Sequence, residues 1–365
     1  MGLAGTELRF IFEGEGFRLR SPHVDQERAE LMSMHLEPQS RKVFELVASA
    51  VDQIKAFQQE RSLSKLDKAQ EDLSEALKEE PGYVDAVFYS GMVNDLTGKA
   101  INAIPQFEQV LAANPPFLDQ VEYNLGVAHY HRYSPGHLDQ AITHFEAAIK
   151  ATRDPALRVL ARAGLAQTYG MKVLQRNTIH ARESFDLSKK ESKTAEKEVR
   201  RLRGTPEAII DEVKWTLHNA RAIAAMFYSD HERDAGRRQK LLEQALKDVA
   251  EADKRSPKNW AVQCNFGSIY MRLYTVYKAQ GSNELAMNAY EKALQHLRKV
   301  VESIRPNYGF ALYEIGRVYR LGAKFDQAVD SFDRALKISY DVRDVSDETI
   351  NREKQRAESR DTQFP

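Results

Sequence analysis

From Arg41 onward the apolar residues recur at helical spacing, in paired amphipathic stretches separated by short polar turns. Within these stretches one arrangement returns at a period near 34 residues. It reads Gly91, Ala103, Phe107 and Pro115, then Gly126, Ala141, Phe145, Ala148 and Pro155. Further along it reads Gly267, Ala286, Tyr290, Ala293 and Pro306, and then Gly316, Ala328, Phe332 and Ala335. A helical pattern with this period predicts stacked helical hairpins. In this grammar small residues let two backbones approach and aromatics fill the gap between neighbouring hairpins. A proline just past the second helix stops it.

Seven hairpins follow. The first, over about 50–83, is marked only by Ala69, Leu73, Ala76 and Pro81. The second spans Val84 to Phe117, and the third, about 119–155, turns at Pro135-Gly136. The fourth begins near Val159, and the fifth carries Ala245, Val249, Ala252 and Pro257. The sixth starts at Trp260 and the seventh near Gly309. In the sixth, the first helix gains seven residues between Tyr270 and Ala286, and the second gains eight between Ala293 and Pro306. Both helices should lengthen by two turns, with Ala293 rather than Ala286 facing Gly267. Between hairpins four and five, a helix from Thr178 to Arg203 and another capped by Thr205 and Pro206 predict a tip over 194–212 that stands proud.

The ends depart from the period. Residues 1–40 form an extension in which the runs 8–12 and 17–20 flank Gly14 and predict a short β-hairpin. The repeat domain occupies 41–342. Residues 343–365 are dominated by charge, with Ile350 as a rare apolar residue, and predict a short capping helix followed by disorder.

Composition narrows the function classes. Lys plus Arg and Asp plus Glu both total 53, so no net field favours nucleic acid. The one cysteine, Cys264, forms no internal disulfide and suits a reducing, cytoplasmic setting. No apolar run approaches the roughly 20 residues of a membrane span. There is no phosphate loop, no Gly-x-Ser-x-Gly and no His-Glu-x-x-His, so the reading is non-enzymatic, with no cofactor. His129, His131, His137 and His144 share one hairpin, but their spacing is irregular and His129 sits at a packing position, so no metal site is read there.

The repeated glycine, alanine, aromatic and proline positions resemble the tetratricopeptide repeat family over roughly residues 50–342. The resemblance implies an all-α, right-handed α-solenoid of about seven hairpins, whose concave groove is lined by the first helix of each. Carried over position by position, it nominates Phe88, Met92, Tyr123, Asn124, Val127 and Tyr130 in the second and third hairpins. In the sixth and seventh it nominates Cys264, Asn265, Met271, Phe310, Tyr313 and Arg317. Aromatic, Met and Arg side chains suit a protein or peptide ligand, and the Asn amides can meet its backbone.

The carboxylate clamp that family members use for chaperone C-termini is absent. Its Lys, Asn, Lys and Arg positions around Asn124 hold Phe88, Met92, Leu160 and Gly164, and Glu314 follows Asn265. The leading reading is therefore a scaffold or adaptor that binds a partner segment in the groove. The alternative is a regulatory or sensor subunit that contacts its effector through the N-terminal hairpin or the basic tip, at Lys197, Arg200, Arg201 and Arg203. A charge run of this kind is equally the solvated face of a helix.

Overall fold

In the computed structural model, residues 9–13, 16–20, 40–60, 62–132, 134–174, 178–202, 205, 207–256, 259–306, 308–338 and 345–364 are described. Apart from one β-hairpin they are almost wholly helical, as the period predicts. That hairpin pairs β1 (Arg9–Glu13) with β2 (Gly16–Arg20) antiparallel, with Phe12 opposite Phe17. The chain divides into two compact units. One comprises 1–165 with 194–213, and the other 166–193 with 214–365.

The first unit begins with three helical hairpins. These are α1 (Arg41–Glu60) with α2 (Leu63–Glu79), α3 (Val84–Leu96) with α4 (Ala100–Ala112), and α5 (Leu118–His131) with α6 (Pro135–Ala151). The first part of α7 (Pro155–Lys172) follows, and the end of α8 (Thr178–Val199) and the start of α9 (Glu207–Tyr228) complete the unit. The expected tip therefore does not stand proud. Ala195 and Ile209 are buried, and Arg162 Nε donates to both oxygens of Glu198 at 3.2 Å. Apolar residues on its inner side anchor it despite the basic outer face.

In the second unit the return of α8 is tied to α7 by Ser188 Oγ, which donates to the Ala166 carbonyl at 2.8 Å. Helix α9 is joined to α10 (Ala235–Arg255) through Arg221 Nε and Asp248 Oδ1, 3.1 Å apart. Then come α11 (Trp260–Ala279) with α12 (Asn283–Lys299), α13 (Gly309–Leu321) with α14 (Phe325–Leu336), and α15 (Asp347–Glu358) against α14. Side chains cap several N-termini, such as Asp234 Oδ1, which accepts from Arg237 N at 2.7 Å at the start of α10.

The glycines show what the repeat grammar does. A Cβ at Gly91 would lie 2.7 Å from the Phe107 ring, and at Gly316 2.6 Å from the Phe332 ring. One at Gly126 would lie 2.7 Å from Phe145, and at Gly164, on the next hairpin, 2.5 Å from the same ring. The contact is small against large, and the aromatic serves its own hairpin as well as the neighbouring one.

This corrects the expectation for the sixth hairpin. Gly267 faces Leu297, whose Cγ would lie 2.5 Å from an added Cβ, and Ala293 is not the partner. Glycine and partner are 16 residues apart in the second and seventh hairpins and 30 apart in the sixth, which matches a lengthening of seven in each helix. Helix α11 has 20 residues where α13 has 13. The eighth residue gained by the second helix is absorbed in a π-helical turn, Val300–Ile304, where Arg305 N donates to Val300 O at 2.8 Å.

The C-terminal segment also differs from expectation. After α15 the chain is ordered rather than disordered through Phe364. Arg360 adopts φ 58°, Arg360 N donates to Ala357 O at 3.0 Å, and Asp361 N donates to Arg356 O at 2.8 Å. This is a Schellman ending with arginine where glycine is usual, and it turns residues 361–364 back toward α13.

Candidate functional site

The nominated residues of the first unit are packed. Phe88 is 2% exposed, with ring centroids 5.7 Å from Phe107 and 5.3 Å from Phe117. Tyr123 lies 5.9 Å from Phe145, and burial, then the carboxylates of Glu212 and Asp95, push its hydroxyl well above the usual tyrosine range. Met92, Val127 and Tyr130 are buried. Asn124 is buried too, and its Nδ2 donates to Gln120 O at 2.8 Å. Its Oδ1 and the Oε1 of Gln120 accept no hydrogen bond among the described residues.

In the second unit Cys264 and Met271 are buried. Asn265 and Phe310 are half-buried. Asn265 Nδ2 donates to Asn219 Oδ1 at 2.7 Å, and Phe310 lies 6.2 Å from Tyr313. Tyr313 packs 6.0 Å from Phe332. Arg317 Nη1 donates to Glu314 Oε1 at 2.7 Å, and its guanidinium lies 5.7 Å from the Tyr313 ring and 5.3 Å from that of Phe364.

Around Arg317 stand residues the sequence reading did not nominate together. Arg272 binds Asp230 through Nε at 3.0 Å and Nη2 at 2.8 Å, and its guanidinium lies 5.4 Å from Phe364. Arg238 Nη2 is 3.4 Å from Asp230, and its guanidinium lies 5.6 Å from the same ring. Arg320 Nη1 donates to the carbonyls of Asp361 and Gln363 at 2.7 and 2.8 Å. Of these, Arg317 on α13 is the one the repeat positions nominate. The role of Arg272 became legible only once residues 361–364 had a position.

On the former tip, Lys197, Arg200 and Arg201 are exposed, and Arg203 lies outside the described residues. Among the described residues no group of His, Cys, Asp or Glu is arranged to hold a metal. Nor is any helix there long and apolar enough to cross a membrane.

The histidines of the third hairpin form a packed cluster. His129, 6% exposed, has Nδ1 2.8 Å from His137 Nδ1 and stacks on His144, whose Nδ1 is 2.6 Å from Glu122 Oε2. Burial, then the neighbouring His144 and His137, push His129 down to about 4. A histidine held neutral in the fold and charged in the unfolded chain stabilises above its unfolded pKa of about 6.5. That stability is lost as pH falls toward about 4. His296, also lowered to about 4 by burial first, acts in the same window. Asp85, raised to about 7 by burial, opposes them, since its contribution is present at low pH and lost as pH rises through about 7. The readout is therefore the difference between variants. Between pH 7 and 4 the melting temperature of His129→Phe should fall less steeply than that of wild type, and that of Asp85→Asn more steeply. Parallel curves for His129→Phe and wild type would remove this assignment.

Sequence models described as tetratricopeptide repeat match residues 265–341 and 55–117. No curated protein sequence matches the chain. Among solved structures, a tetratricopeptide repeat protein of Thermus thermophilus is 19% identical, covering 66% of this chain and 99% of its own, with a TM-score of 0.42. One from Parabacteroides merdae is 14% identical, covering 87% of this chain and 100% of its own, at 0.46. A signal-transduction ATPase of Pyrococcus horikoshii with a tetratricopeptide repeat sensor is 13% identical at 0.45, and this chain spans 53% of its length. All three TM-scores lie below 0.5. The two repeat matches fall on the same small-against-large hairpins that the glycine contacts define, and the chain carries tetratricopeptide repeats.

Proposed function

We propose that the chain is a non-enzymatic, cytoplasmic scaffold that binds a short segment of a partner protein on the face formed by the first helices of its repeats. Tetratricopeptide repeats are protein-interaction modules, and the interaction-scaffold role follows from them. The observation that carries the finer reading is the occupation of this face in the seventh hairpin. There Arg317 and Arg320, two of the first-helix positions, contact a four-residue stretch of polypeptide. The unpaired acceptors of Asn124 and Gln120 favour the same use of α5, because an orphaned buried carbonyl costs about 1–3 kcal/mol until a donor reaches it.

Tyr123 and Tyr313 are unsuited as probes, since both pack on core aromatics and alanine there would unsettle the hairpin. The half-buried pair Asn265 and Phe310 is suited. Affinity capture from the native host's extract should recover a protein with wild type and lose it with Asn265→Ala, Phe310→Ala, while the melting temperature moves by no more than a few degrees. A folded double variant that retains the partner would shift recognition to another surface. The regulatory-subunit reading points to the exposed Lys197, Arg200 and Arg201, and charge reversal at Arg200 and Arg201 tests it in the same capture.

A further inference from the structure

We infer that the arginine cage of the second unit is a recognition site for a peptide segment of acidic–x–x–aromatic type, held in cis by residues 361–364, so that a partner segment binds by displacing them. The inference rests on the reading of the first-helix face as a peptide surface and names its ligand chemistry.

The cage is built to take an aromatic ring. Arg272 and Arg238 share Asp230, Arg317 is held by Glu314, and Arg320 by Glu353 at 2.9 Å. With carboxylates on their edges, three of these guanidiniums lie 5.3–5.6 Å from the Phe364 centroid. Edge-paired guanidiniums offer their faces, and a ring over a desolvated guanidinium is attracted more strongly than one at an exposed site.

The rest of the segment is read in two ways. Arg320 Nη1 donates to the main-chain carbonyls of Asp361 and Gln363, and Arg356 Nη2 donates to the latter at 2.7 Å. These bonds accept any residue. Sequence is read at the first position, where Arg356 Nε donates to Asp361 Oδ2 at 2.7 Å. Asp361 Oδ1 also accepts from Gln363 N at 2.7 Å, which closes a turn and presents Phe364 to the cage. Gln363 is exposed and Thr362 half-buried, so the two middle positions tolerate variation.

Tethering explains why the tail wins over a weak ligand. Residues 361–364 follow α15 directly through the reversal at Arg360, so their effective concentration at the cage is of the order of millimolar. Removing the Phe364 ring removes the group that fills the cage and leaves α15 and the Arg320–Glu353 pair in place.

The test uses the full chain and a fluorescent, amidated peptide copying residues 357–364, Ala-Glu-Ser-Arg-Asp-Thr-Gln-Phe. Phe364→Ala protein should bind it at least about tenfold more tightly than wild type does. A peptide with alanine in place of its phenylalanine should not bind, and Arg238→Ala in the Phe364→Ala background should abolish the gain. Equal binding by wild type and Phe364→Ala would overturn the displacement. No binding by a Phe364→Ala protein with wild-type helicity and melting would overturn the cage as a recognition site. In that second case a native partner still lost on Asn265→Ala, Phe310→Ala would leave the surface reading standing and sink only this inference.

Discussion

Phe145→Ala should lower the unfolding free energy by about 3–5 kcal/mol, among the largest losses available to a single side chain here. The ring is 1% exposed and fills the space left by two glycines at once. A Cβ at Gly126 would approach it to 2.7 Å, and one at Gly164 to 2.5 Å. The first contact lies within its own hairpin, the second on the hairpin that follows. Alanine therefore opens a cavity on both sides, and the loss falls partly on the coupling between neighbours, which in a repeat protein is a separate share of the stability.

A second signature follows from the same geometry. Gly126→Ala alone forces the ring to shift, at about 1–3 kcal/mol. Combined with Phe145→Leu, whose smaller side chain yields the needed space, it should cost less than the two separate losses together. Urea melts of the four variants beside wild type decide it. A Phe145→Ala loss under about 1 kcal/mol, or strict additivity in the double variant, would show that the ring is not the shared wedge described here.

The hairpins were legible because their spacing is set by steric facts that leave a mark on residue type. Helix α3 begins at Val84, α11 at Trp260 and α13 at Gly309, where the period places them. The seven-residue lengthening of the sixth hairpin was legible for the same reason. What the residue types did not reveal was the partner of Gly267. Leucine and alanine both suit a helix interior, and only the three-dimensional register selects Leu297.

The nominated face was legible as positions but not as exposure. Position in the repeat says which way Phe88 points, whereas its burial depends on Phe107 and Phe117. The tail was the least legible part. Between 346 and 364 the buried apolar residues are Ile350 and Ala357, too few to show a period. What docks it is a set of ionic and main-chain bonds, and a charged run looks the same in sequence whether its partners are water or arginines.

That docking supplies the second large effect. Arg320→Ala should cost about 3–5 kcal/mol, because it takes from a buried carboxylate the partner of its Oε2 and leaves it only Arg356 Nη1 on Oε1 at 3.1 Å. Arg320 is 0% exposed and Glu353 2% exposed, with Nε donating to Glu353 Oε2 at 3.1 Å and Nη2 2.9 Å from the same oxygen. The same guanidinium holds the carbonyls of Asp361 and Gln363, so its loss takes the donor from Glu353 Oε2 and Asp361 O, while Gln363 O keeps Arg356 Nη2 at 2.7 Å. Glu353→Gln keeps shape and an acceptor and should cost less. Arg320→Met with Glu353→Leu, which removes both charges, should recover much of the single-variant loss. Hydrogen exchange would place the damage, with amides of α15 opening well before those of α11 and α12. If Arg320→Ala instead melts like wild type and α15 stays protected, the buried pair is not what fastens the end of the chain to α13.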